Sequence, residues 1–115
     1  ELLSFTWTPD GRGLVIARVD QDRGLVEWSL VDLSGVKRHL VDVIPTPDLR
    51  FYLRFFEQYT QSHPIIDPES ESLLVAGVVR GRGTKSRVYR VPLRGGTLDD
   101  LGEGQFAVFG PALPN

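Results

Sequence analysis

Seven serines, two histidines and fifteen carboxylates are the chain's material for catalysis, and their spacing assembles no known machine. No Gly-x-Ser-x-Gly segment occurs, so a serine on a nucleophile elbow is absent. With no cysteine there is no thiol nucleophile, no zinc-thiolate site and no disulfide framework. His63, between Ser62 and Pro64 and close to Asp67, has the chemistry of a metal ligand or a general base. Its position beside a turn favours a structural ring bonded to a neighbouring strand. His39 lies in a strand-like run between Arg38 and Leu40, is expected to be exposed, and has no cluster of ligands near it. The acidic stretch Asp67-Pro68-Glu69-Ser70-Glu71 lacks the spacing and the glycine of an EF-hand loop and reads as a solvated turn. Asp20 with Asp22, and Asp99 with Asp100, read as hairpin carboxylates. Arg80-Gly81-Arg82-Gly83-Thr84-Lys85-Ser86 looks like a phosphate loop but lacks Gly-Lys before the hydroxyl and a following helix, leaving a solvated hairpin tip. No catalytic, cofactor-binding or metal-binding residue is assigned, and no cofactor is expected.

The elements that carry these groups are short. Thr8-Pro9-Asp10-Gly11-Arg12-Gly13 has the chemistry of a tight corner, since Pro9 presets φ, Asp10 bonds its own backbone ahead and Gly11 accepts positive φ. Strands are predicted on either side: Leu14 to Val19, then Gly24 to Leu33, then Val36 to Val43 after the Ser34-Gly35 turn. The same order returns about 60 residues later. Trp7-Thr8-Pro9-Asp10-Gly11 matches Ile66-Asp67-Pro68-Glu69-Ser70, Leu14-Val15-Ile16-Ala17 matches Leu73-Leu74-Val75-Ala76, and Val31-Asp32-Leu33-Ser34-Gly35 matches Val91-Pro92-Leu93-Arg94-Gly95. A third copy is expected to open at Phe106-Ala107-Val108-Phe109-Gly110-Pro111, which matches Ser4 to Pro9.

Leu14 to Val19 and Leu73 to Val79 are nearly all apolar, the pattern of a strand covered on both faces. The short connections leave no room for the crossover helices of a parallel sheet, whereas in a propeller each small antiparallel sheet is covered by its neighbours. Ala17, Ala76 and Gly77 suit such close packing. Between the units, Ile44 to Ser62 is rich in aromatics: Phe51, Tyr52, Phe55, Phe56 and Tyr59. Asp48 could cap a short helix with Leu49, Tyr52, Leu53 and Phe56 at helical spacing, and an extended strand along an edge is the alternative.

Trp7-Thr8-Pro9-Asp10-Gly11-Arg12 resembles the Trp-Ser-Pro-Asp-Gly-Arg signature of the TolB-like, WD-type β-propeller repeats, and Phe55 to His63 with Ile66-Asp67-Pro68 resembles a segment of bacterial TolB-like proteins. Ile66-Asp67 and Phe109-Gly110 depart from that signature. The resemblance implies an all-β fold: two four-stranded antiparallel propeller blades plus the first strand of a third, a partial β-propeller. Its parts would be a first repeat at 1–43, an aromatic connector at 44–62, a second repeat at 63–103 and an opening strand at 104–115.

At 115 residues and 41% hydrophobic content the chain can form one domain that buries roughly 65% of its unfolded surface. A net charge of -2 gives no electrostatic reason to expect nucleic acid. No apolar run approaches the roughly 20 residues needed to cross a bilayer, so membrane insertion is not expected. Glu1 to Thr8 lacks the basic start of a secretory signal, and with no cysteine the compartment stays open. Having no methionine, the chain is expected to derive from a longer one. Two blades cannot close a ring, and repeat arrays need about three or more units to cover their apolar ends. The expectation is a non-enzymatic scaffold that binds a protein partner or itself through exposed blade faces. The alternatives are the gating propeller of a serine peptidase of the prolyl-oligopeptidase type and a small-ligand-binding propeller.

Overall fold

The computed structural model describes residues 3–54, 64–69 and 71–109. It is all-β apart from one short helix. The strands are β1 (Leu3–Trp7), β2 (Gly13–Asp20), β3 (Leu25–Asp32), β4 (Lys37–Pro45), β5 (Ser72–Val79), β6 (Arg87–Pro92) and β7 (Asp99–Gly102), with α1 (Pro47–Arg54) between β4 and β5. They form one antiparallel sheet of seven strands in chain order. The sheet is open, with β1 and β7 at its ends.

The first corner forms as its residue types dictate. Gly11 takes φ 72°, the Gly11 N–H donates to the Thr8 carbonyl at 2.8 Å, and the Asp10 carboxylate accepts from the Arg12 N–H at 3.0 Å and the Thr8 hydroxyl at 2.6 Å. Around the matched residues of the second half the pairing is similar. Trp7 lies opposite Leu14 and Ile66 opposite Leu73. Leu14 lies opposite Val31 and Leu73 opposite Val91. The register shift between Trp28 and Ser29 recurs between Val88 and Tyr89. The units differ at their openings, because β5 is met at one end by a single bridge from Ile66 and at the other by β4, through Val43↔Val79, Ile44↔Val78 and Pro45↔Gly77. The first unit therefore has four strands and the second three with a bridge. Residues 104–109, expected to begin another strand, join no ladder; residues 110–115 lie outside the described residues.

The connector 44–62 resolves as a helix over Pro47–Arg54, and its remainder from Phe55 lies outside the described residues. Its cap is Thr46, not Asp48. The Thr46 hydroxyl accepts from the Leu49 N–H at 3.2 Å while donating to the Gln105 carbonyl at 2.5 Å, and Pro47 occupies the first helical position, where a missing N–H costs nothing. Leu49, Tyr52 and Leu53 are buried by the helix. Thr46→Ala removes both bonds at a position 1% exposed, so a loss of about 1–2 kcal/mol is expected, with Thr46→Ser retaining most of it. An unchanged midpoint for Thr46→Ala in thermal unfolding would refute the cap.

With Leu74 of β5 on the other side, most of the core lies on one face. Val15, Ala17, Val26, Trp28, Val41 and Val43 form it in the first unit, and Leu73, Val75, Val79, Tyr89 and Val91 continue it across the β4–β5 seam, with α1 packed in. The sheet curls enough to bring distant corners together: Arg94 reaches Asp10 at 3.6 Å, and Arg38 donates to the Leu93 carbonyl at 3.5 Å.

Burial on both faces holds for one of the two apolar strands. In β5 every residue from Ser72 to Gly77 is buried, whereas β2 alternates, with Val15 and Ala17 buried, Leu14 and Ile16 half-buried and Arg18 exposed. The same composition has two outcomes because only the second unit has a covering surface on both sides.

Candidate functional site

The polar groups singled out in the sequence do not converge. His39 stands exposed on β4 with Nε2 2.7 Å from the Asp42 carboxylate. Asp20 accepts from the Arg23 N–H at 3.1 Å, the role of a hairpin carboxylate. Asp67 accepts from the Glu69 N–H at 3.0 Å within its turn. Asp99 and Asp100 are strand residues instead of turn residues: Arg90 pairs with Asp99 at 3.0 Å and Arg87 with Asp100 at 2.6 Å across β6 and β7. The Arg87 guanidinium, then the Gly102 N–H, holds the Asp100 carboxyl below its ordinary value. The Thr8 hydroxyl, then the Arg12 N–H, does the same for Asp10, with Arg94 adding to it. The 80–85 stretch is an exposed hairpin tip. His63, Ser62 and Ser70 lie outside the described residues. Among the described residues no three His, Asp or Glu side chains gather as a metal site, and no helix is long and apolar enough to cross a membrane.

What does stand out is apolar. Strand alternation places Phe5 and Trp7 of β1, Leu14 and Ile16 of β2 and Val31 of β3 on the face opposite the core, joined by the pairs Phe5↔Ile16, Trp7↔Leu14 and Leu14↔Val31. Phe5 is 62% and Trp7 57% exposed, and Leu14, Ile16 and Val31 are half-buried. Polar residues rim the patch where it meets β3 and β4, with Arg18 opposite Glu27, Ser29 opposite His39 and Val31 opposite Lys37. A contiguous apolar surface with a polar rim marks an interaction site more often than an ordinary surface does.

The equivalent positions of the second unit show how such a face is satisfied. Ile66, Leu73, Val75 and Val91, the counterparts of Trp7, Leu14, Ile16 and Val31, are 6%, 0%, 1% and 1% exposed. They are buried in one cluster with Val15, Ala17 and Trp28 of the first unit and Leu49, Tyr52 and Leu53 of α1, against which Phe106 to Phe109 also pack. Through the Val43↔Val79 pairing, the residues of the second unit that match the outward face of the first lie on the core side of the sheet.

The patch was missed in the sequence because strand alternation says which residues share a face, not whether that face is covered. The signal available was Phe5-Thr6-Trp7, two aromatics alternating on a strand without a charged residue. Comparison of the chain with protein-family models, curated proteins and solved structures finds no match.

Proposed function

We propose that this chain is a non-catalytic interaction scaffold, built from two blade-like units of a partial β-propeller, whose Phe5–Trp7–Leu14–Ile16–Val31 face docks against a further unit supplied by a longer parent chain or by another copy. The observation that carries the reading is the contrast between that face and its counterpart. One is open and the other wholly buried, although their residues match in type and register. In a propeller every blade sets the same two surfaces together, the front of one on the back of the next, so an uncovered front is a vacant position in a series. The chemistry of its partner follows: an apolar surface like the mixed strand and helix cluster in which the second unit's matching face is buried.

Light scattering on the isolated chain is expected to show concentration-dependent association, and the double variant Phe5→Ser/Trp7→Ser is expected to run as a monodisperse monomer. Both side chains are more than half exposed, so the variant should unfold close to the wild-type midpoint. A wild-type chain that stays a monodisperse monomer at all concentrations would overturn the reading.

A further inference from the structure

Where the β2–β3 hairpin end faces α1, the two border an open cavity of about 360 Å³. That is within the size range of small-molecule sites, roughly 300–1,000 Å³. Its apolar wall is made by Val19, Leu25, Val26, Pro45 and Leu53. Two arginines, Arg50 and Arg54, also line it. They are four residues apart on α1 and so project from the same side of the helix. Neither makes an ion pair or side-chain hydrogen bond among the described residues, as is also true of Arg12, Arg80 and Arg82, whereas Arg23, Arg87, Arg90 and Arg94 pair with carboxylates. Asp20 is the one carboxylate on the rim, and it is turned to Arg23, which approaches it through its N–H at 3.1 Å and its guanidinium at 3.9 Å.

We infer that this cavity binds a small amphiphilic carboxylate, with the apolar body against Leu25, Val26 and Leu53 and the carboxylate between the Arg50 and Arg54 guanidinia. Guanidinium offers paired donors in a plane that matches a carboxylate, and charge-assisted bonds of this kind are about twice as strong as neutral ones. A neutral ligand of the same shape leaves both arginines without an acceptor. A cationic one meets two like charges and a carboxylate already engaged. The site is independent of the docking face, since it shares no residue with it.

Isothermal titration with octanoate, alongside 1-octanol and octylammonium, tests the inference on the intact chain. Octanoate is expected to bind one-to-one with Kd on the order of 0.1–1 mM, as its ten heavy atoms allow. Octanol should bind at least about tenfold more weakly and octylammonium not measurably, the loss of one charge-assisted pair. Arg50→Gln/Arg54→Gln, both at exposed positions, should bring octanoate down to the octanol level without moving the unfolding midpoint. Amide NMR shifts on adding octanoate should centre on Val19, Leu25, Val26 and Leu53. Equal affinity for octanol and octanoate, unchanged octanoate binding by the double variant, no binding into the millimolar range, or shifts centred on Phe5 and Trp7 would each overturn it.

Discussion

Gly77→Ala is expected to lower the unfolding free energy by about 3 kcal/mol or more and the thermal midpoint by more than roughly 10 °C. Gly77 sits on β5 opposite Pro45, where the two units join. Its φ is 152°, which L side chains rarely adopt. A Cβ there would collide with the Ile44 carbonyl oxygen and lie 2.9 Å from both the Ile44 carbonyl carbon and Val43 Cγ1. Backbone cannot rotate out of the way as a side chain can, so the strands must part. The seam has little to spare, being the three pairs from Val43↔Val79 to Pro45↔Gly77 and the Thr46 N–H on the Ala76 carbonyl at 3.0 Å. Gly35→Ala supplies the control. Gly35 also has positive φ, 87°, but nothing lies within 4 Å of the added methyl, so the cost is backbone strain alone, about 1–2 kcal/mol. Urea unfolding of the two variants side by side checks the difference. Equal effects would mean that β4 and β5 do not approach this closely.

Gly77 also shows what a sequence can and cannot disclose. A glycine in an apolar strand already signals close approach, and its matched partner in the first unit, Arg18, carries a full side chain, so the requirement is peculiar to the seam. That β4 is what approaches is a non-local fact, set by how the connector returns the chain. The local corners were legible for the opposite reason: Pro9, Asp10 and Gly11 carry their geometry in their own covalent structure and side-chain bonds. The helix was legible in its apolar spacing but not in its start. Asp48 looks like a cap, yet Pro47 belongs at the first helical position, and that moves the cap back to Thr46. Ile16 and Val75 make the limit plain. They are matched β-branched residues in matched strands, one half-buried and the other 1% exposed, and nothing in either residue says which will find a surface to rest on. Arg50 and Arg54 became a candidate pair only once the helix and the hairpin end facing it were placed.

Trp28→Ala should cost about 3–5 kcal/mol, the range for emptying an aromatic site from a closed core. Trp28 is 0% exposed and sits between Ala17 on β2 and Val41 on β4. Its indole is unusual in that Nε1 is buried with no hydrogen-bond partner, the one such side-chain atom among the described residues. An unmet buried donor costs about 1–3 kcal/mol, and Trp28→Phe removes it together with part of the ring. The two changes oppose each other: lost ring contact destabilises, and release of the desolvated N–H restores much of that loss. Trp28→Phe should therefore fall within about 1 kcal/mol of wild type, far from Trp28→Ala. The tryptophan count makes the measurement clean, since the chain has two and the other is Trp7, 57% exposed. Trp28→Phe should leave only the red-shifted, readily quenched emission of Trp7, while Trp7→Phe leaves the blue-shifted emission of Trp28. If Trp28→Phe instead loses as much stability as Trp28→Ala, the indole N–H has a partner in the folded chain and the core is packed differently around it. Association through the Trp7 face would quench less and shift blue with rising concentration, so the same pair of variants separates a change in the core from a change at the docking face.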